Sequence, residues 1–257
     1  MNAASIASGL KFALFGAALL ANAPAWAGDV HDLNRGLPLD FEDATPSPQG
    51  DVSVQLSARY EHNNDGEDQL TLEPQIQWGF APNAHLQVQA PFHFGDADRS
   101  GSGDVAVGVL YNFLQEEGWR PALAVNGVVF VPSGEGNDGL DTELSLIATK
   151  TLTSEPSQDR LHLNVRWTRN AAEEENQRHD RFAFVAAYSR KLDDDTVFVA
   201  DFIREQQDEE HQDSNIVEAG VIRSFGESVT AGFGVGTGIG DDSPNVLTSL
   251  SVQIALP

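Results

Sequence analysis

From position 51 onward the chain repeats one pattern: about ten residues of alternating apolar and polar character, then a polar or Gly/Pro/Asp-rich break. Twelve such segments follow one another, near 51–62, 69–80, 84–95, 103–114, 121–132, 141–151, 160–169, 181–190, 196–205, 215–225, 228–239 and 246–256. A two-residue period belongs to a strand, whose successive side chains point to opposite faces. Nothing after Gly50 holds apolar residues at helical spacing, so the fold class is all-β. The first segment sets Val52, Val54, Leu56, Ala58 and Tyr60 against Asp51, Ser53, Gln55, Ser57 and Arg59. The third sets Leu86, Val88, Ala90, Phe92 and Phe94 against His85, Gln87, Gln89 and His93. The ninth is mixed, because Val197, Val199 and Ile203 share a face with Asp201.

Two architectures bury one face of such strands: a soluble sandwich, and a barrel whose apolar face meets lipid. Ten residues is the length a tilted strand needs to cross a bilayer, whereas soluble strands centre on about five to six. The count is even, as in single-chain bacterial barrels. Aromatics gather near segment ends, as in the two interfacial girdles of such barrels. With the first strand running outward, Tyr60, Phe92, Phe94, Phe130, Trp167 and Phe202 fall at the outer rim; Trp78, Phe80, Tyr111, Phe113, Tyr188 and Phe225 fall at the inner one. The expected fold is therefore a transmembrane antiparallel up-and-down β-barrel of about 12 strands. In it, lipid covers the apolar face of residues 105–113, while Asp104, Ala106, Gly108 and Asn112 face a lumen. A soluble secreted β-sandwich is the competing reading.

The same threading places Lys191 on the periplasmic side and the loop around residues 170–180 outside. The outer connections then hold 21 of the 39 acidic residues. With 15 Lys+Arg, the formal net charge is -24, which excludes phosphate-driven nucleic-acid binding. Cysteine is absent, so neither disulfides nor thiolate metal sites are available. Ahead of the repeats, residues 1–27 combine Lys11, an apolar run from Phe12 to Leu20 and a small-x-small box at Ala25-Trp26-Ala27. They read as a signal peptide cut after Ala27. Residues 28–50 carry three prolines and no period, and are expected to be an irregular lead segment able to enter the periplasmic end as a plug.

Neither G-x-S-x-G nor H-E-x-x-H occurs, and the chain is not expected to be an enzyme. No cofactor is expected. No close His pair has ligand spacing, and Glu173-Glu174-Glu175 and Asp208-Glu209-Glu210 read as solvated charge runs, so no metal site is expected either. The glycine-rich 232–240 lacks the lysine of a phosphate loop; it reads as relief of crowding in the wall. The functional candidates are the polar residues assigned inward: Arg59, Glu73, His85, His93, Asp104, Glu143, His162, Arg166, Asp201 and Glu218. In a narrow lumen they are the groups that could select a passing solute; they could equally brace the interior.

Two stretches carry a family resemblance. They are "RGLPLDFEDATPSPQGDVSVQLSARYEH" and "GSGDVAVGVLYNFLQEEGWRPALAVNGVVFVPSG", the latter with Gly103-Asp104, Tyr111, Pro121 and Pro132-x-Gly134. In these the chain resembles outer-membrane proteins of the MetA-pathway of phenol degradation family. The resemblance implies a barrel in the outer membrane that passes small hydrophobic or aromatic solutes. It further implies contact with outer-membrane lipid, lipopolysaccharide and the barrel-assembly machinery. Barrels of this class usually end in an aromatic residue; this chain ends Ala255-Leu256-Pro257. A non-transporting barrel, structural or adhesive through its acidic loops, is the alternative function.

Overall fold

The computed structural model describes residues 33–96, 100–134, 139–171 and 177–257. The expected signal peptide and Glu173–Glu175 lie outside the described residues. Among the described residues there is no helix. Fourteen strands form one sheet: β1 (Val52–His62), β2 (Asp68–Ala81), β3 (Ala84–Gln89), β4 (Phe92–Gly95), β5 (Gly101–Ser102), β6 (Val105–Leu114), β7 (Ala122–Val131), β8 (Asp141–Thr151), β9 (Arg160–Arg169), β10 (Asp180–Lys191), β11 (Thr196–Gln206), β12 (Asp213–Phe225), β13 (Val229–Gly238) and β14 (Val246–Leu256).

The sheet is closed. β1 pairs antiparallel with β2 and also with β14, from Val52↔Leu256 to His62↔Val246, so the ladder has no free long edge. Twelve staves make the barrel, because β3 and β4 are two parts of one expected strand. β3 pairs with β6, but after Ala90-Pro91 the chain turns away. β4 then pairs with β2 and with the short β5 instead. Proline supplies no N–H to a ladder, which is where such a break is expected.

The two faces separate as the sequence pattern requires. Leu56, Ile76, Trp78, Tyr111, Phe113, Leu146, Leu163, Phe184, Val221, Phe233 and Leu250 are exposed on the outside. Gln55, Gln77, His85, Asn112, Asn126, His162, Asn164 and Arg166 are buried inside. A continuous apolar exterior on a closed sheet is a surface made for lipid. With one closed sheet and no second sheet among the described residues, the fold is a barrel and not a sandwich. Lys191 and Asp180 lie at opposite ends of the barrel, since β10 runs between them.

Phe130 departs from the expected outer girdle. On β7 it shares the inward parity of Ala124, Asn126 and Val128, and it lines the lumen. β11 is also informative. Its inward face carries Val197, Val199, Asp201 and Ile203, while Phe198, Ala200 and Phe202 point outward. Apolar residues thus occupy both faces, which a water-filled lumen alone does not explain.

The explanation is the lead segment. Residues 33–47 run inside the barrel, and Leu33, Leu37, Leu39 and Phe41 cluster with Val185, Ala187, Val197, Val199, Ile203, Ile216, Ile222 and Leu247. A tight turn opens it: the Gly36 N–H donates to Leu39 O at 2.8 Å, with Gly36 at φ +80°, a conformation that disfavours a side chain.

The outward register of β3 can be tested. Val88 faces out between Ile76 and Val107, and Gln87 faces in. Val88→Arg should cost about 2–4 kcal/mol if it lies near the bilayer midplane. Gln87→Arg should cost markedly less. Urea titration of the heat-modifiable folded band compares the two, and the reverse ranking would mean a register wrong by one residue.

Candidate functional site: the lumen and its lead segment

A chain segment inside a barrel must find partners for its backbone polar groups. The polar wall supplies them. Asn164 bonds both sides of Glu42, accepting from its N–H and donating to its carbonyl, each at 2.8 Å. The Ala44 N–H donates to Thr149 Oγ1 at 3.0 Å, and Asn112 Nδ2 donates to Ala44 O at 2.7 Å. The Ser47 N–H donates to His85 Nδ1 at 3.1 Å. Gln55 Nε2 donates to Arg35 O at 3.0 Å, and Asn126 Nδ2 to Glu42 Oε2 at 3.0 Å. The donors and acceptors come from β1, β3, β6, β7, β8 and β9, so about half the barrel wall grips the segment by hydrogen bonds.

Charge organises the middle of the lumen. Asp40 of the lead segment accepts from Arg166 through two bonds, Nη2 at 2.6 Å and Nη1 at 3.1 Å. It also accepts from Arg35 Nε at 2.6 Å. Arg35 Nη1 reaches Glu143 Oε1 at 3.2 Å. Arg59 Nη1 contacts both oxygens of Glu218, at 2.9 and 3.1 Å, while its Nε donates to Glu61 at 2.7 Å. Asp201 is buried beside Glu218, its cross-strand partner. The forked Arg166–Asp40 geometry is the strong, directional form of ion pair.

All ten sequence candidates face inward, but they do different things. Arg59, Glu143, Arg166, Asp201 and Glu218 gather around the lead segment's Arg35 and Asp40, with Glu73 on the same inner wall. His85 and His162 are fully buried further along. His162 is held by Thr149 at 3.1 Å and Ser189 at 2.9 Å, with Phe41 tilted against its ring at 5.0 Å. His93 bonds Thr71 at 3.0 Å. Asp104 is a clasp: its Oδ1 accepts from the N–H groups of Ser133 and Gly134 at 3.1 and 2.9 Å, tying β6 to the end of β7. A Cβ on Gly134 would lie 2.7 Å from the Gly103 carbonyl carbon, which accounts for glycine at that place in the motif.

Sequence reasoning missed Arg35 and Asp40. The lead segment has no period, and only its charges interleaved with leucine, in "NRGLPLDFED", signalled a segment with a buried and a charged side. Above the lead segment a cavity of about 340 Å³ remains, bounded by His93, Asp104, Phe130, Glu143, Arg166, Arg181 and Glu205. Deeper, between Arg35, Glu42, Asn126 and Asn164, a pocket of only about 10 Å³ is left. That is room for one water at most. No group of three or more His, Asp or Glu able to hold a metal occurs among the described residues.

A protein-family profile described as "Putative MetA-pathway of phenol degradation" matches residues 79–256. The chain belongs to this family. No curated protein matches it in sequence. Among solved structures, the COG4313 outer membrane channel from Pseudomonas putida F1 is similar at a TM-score of 0.62 and 12% identity, over 85% of this chain and 100% of that one. The KdgM porin matches at 0.58 and 10%, over 80% and 99%. The NanC porin matches at 0.58 and 10%, over 80% and 100%. Such low identities establish the fold, that of an outer-membrane channel barrel. These neighbours are channels and porins rather than enzymes.

Proposed function

We propose that this family member is an outer-membrane channel for small hydrophobic or aromatic solutes, with the lead segment as its plug and the inward charges as its selecting groups. The observation that carries the reading is the two-sided lumen: a polar wall that grips the segment and an apolar wall that its leucines cover. A barrel needed only as a water-filled pore has no use for Val197, Val199 and Ile222 pointing inward. The family match supports the same reading, as does the absence of a recognised catalytic motif. Secretion and cleavage near Ala27, with insertion among outer-membrane lipid and lipopolysaccharide by the assembly machinery, belong to it.

The test is flux into proteoliposomes. Phenol or toluene should enter faster than into empty liposomes, and faster than a polar solute of similar size. No flux above empty liposomes for any solute would leave the non-transporting barrel as the better reading, which the filled lumen also favours.

The rim sets a second expectation. Asp65, Glu67, Asp68, Asp208, Glu209, Asp241 and Asp242 stand together at one end of the barrel, the outer end if the first strand runs outward, within a chain of net charge -24. Their summed field attracts cations and repels anions. This argues against an anionic sugar such as the oligogalacturonate held by the KdgM porin. In planar bilayers under a KCl gradient, the reversal potential should report K⁺ preferred over Cl⁻. Raising the salt should weaken the preference through screening. Anion preference would mean that Arg35, Arg166 and Arg181, not the rim, control the path.

A further inference from the structure

The apolar half of the lumen is more than packing for the lead segment. We propose that the wall formed by β10–β14 is the binding surface for a solute's monocyclic apolar body, and that Pro38 and Leu39 hold its place until it arrives. This deepens the channel reading above by naming the surface on which the solute rides.

Three observations converge. First, the asymmetry of the lumen is not needed for occlusion, because the polar wall already satisfies the segment's backbone. Lining the other wall with Val, Ile and Leu carries a cost whenever the segment leaves, since that surface then meets water. The arrangement makes sense if something else apolar takes over the contact.

Second, this wall contains a groove shaped by missing side chains. The inward positions of β13 are Gly232, Gly234, Gly236 and Gly238, alternating with outward Phe233 and Val235. Of these, Gly232 and Gly234, with Gly220 of β12, leave a trough into which the Pro38 ring and Leu39 fit; a Cβ on Gly236 or Gly238 would instead meet Glu218 or Ser243. A Cβ on Gly232 would come within 3.0 Å of Pro38 Cδ, one on Gly220 within 3.1 Å of Pro38 Cγ, and one on Gly234 within 2.7 Å of Leu39 Cδ2. The expected role of these glycines, relief of crowding in the wall, holds at Gly220 and Gly232, where a Cβ would come within 2.6 Å of Phe233 O and of Ser251 Oγ, and the lead segment adds an occupant beside them. That occupant is a small saturated ring, close in thickness and breadth to a single six-membered ring.

Third, the same lumen holds a cavity of about 340 Å³, lined by Arg35 and by residues between Pro91 and Gln206, which is large enough to admit a monocyclic solute. A molecule reaching that cavity meets Arg35 and Arg166, both of them bonded to Asp40. The apolar surface that Leu37, Pro38 and Leu39 cover lies on the β10–β14 side of the same lumen.

The chain has no cysteine, so a single Leu39→Cys reports on the trough. Leu39 is 1% exposed, and Leu39→Cys should react slowly with a membrane-impermeant thiol reagent. Full-length protein in proteoliposomes is labelled with and without toluene, using arabinose at equal concentration as the polar comparison. Toluene should raise the rate severalfold and arabinose should leave it unchanged. Ser47→Cys, on the polar side of the same segment, separates competition from general loosening: it should respond far less. Gly232→Val should speed labelling of Leu39→Cys without toluene and blunt the toluene effect. Should that variant fail to fold, the contrast between Leu39→Cys and Ser47→Cys still decides. Equal acceleration at both cysteines, or none at either, overturns the proposal. Solute flux with labelling indifferent to toluene also overturns it and leaves the channel reading intact. Toluene-dependent labelling without flux supports it and removes the channel reading instead.

Discussion

Deleting residues 34–47 should turn a nearly closed barrel into an open one. The ladder does not depend on them: β1 begins at Val52 and closes on β14 through its own backbone pairs. The folded, heat-modifiable band should therefore persist. Inside, the deletion removes Leu37, Leu39 and Phe41 from the apolar wall, and takes Arg35 from Glu143 and Asp40 from Arg166. A twelve-stranded barrel lies between small barrels filled by side chains and wide water-filled porins, so its lumen can conduct once emptied. Single-channel conductance in planar bilayers should rise severalfold over the parent. The deletion should also lower the urea midpoint, because Val185, Val197, Val199, Ile203 and Ile222 lose their cover. Each fully buried side chain of this kind is worth about 1.5–3 kcal/mol relative to exposure, and the neighbours recover part of that by closing in. Unchanged conductance would show that the obstruction lies elsewhere, in the outer connections.

The barrel itself was legible because strand periodicity is a local property that each segment carries alone. Leu86, Val88 and Phe92 against His85, Gln87 and His93 fix two faces without knowledge of any neighbour. Parity therefore placed all ten inward candidates on the right side. What parity could not give is who meets whom across the lumen. Arg59 and Glu218 are 159 positions apart in sequence, and Arg166 and Asp40 are 126 apart. β11 looked irregular for the same reason. Val197 and Val199 seemed to contradict an inward Asp201 only while the lumen was taken to be wet throughout; Leu37, Leu39 and Phe41 make part of it dry. Phe130 was misplaced because nearness to a strand end says nothing about face. The break at Ala90-Pro91 was visible as a proline inside an alternating run, but its outcome depends on a pairing with β5 that two residues, Gly101 and Ser102, do not announce.

The Asp40–Arg166 pair should behave as the latch of the lead segment. Arg166 is 5% exposed at its side chain and Asp40 21%, so the pair is largely withdrawn from water. Removing one partner of a buried pair strands the other and typically costs about 3–5 kcal/mol. Here Arg35 remains bound to Glu143, and Glu205 stands 4.0 Å from Arg166, so part of the loss is cushioned. Asp40→Ala should be the more damaging single change, since it leaves two guanidinium groups facing each other. Arg166→Ala leaves Asp40 with Arg35 at 2.6 Å. Arg166→Lys keeps the charge but not the fork, and should fall between parent and Arg166→Ala. All three should keep the folded band, because none contributes backbone pairing to the closure that β1 and β14 make. The effect should appear as longer or more frequent openings in single-channel records and faster proteolysis of the lead segment. In a double-mutant cycle, Asp40→Ala with Arg166→Ala should be milder than the sum of the two, by a coupling of about 0.5–3 kcal/mol for groups in direct contact. Additive effects would show that the two residues hold the segment independently. The latch would then have to be sought in the hydrogen bonds of Asn164 and Thr149 to Glu42 and Ala44.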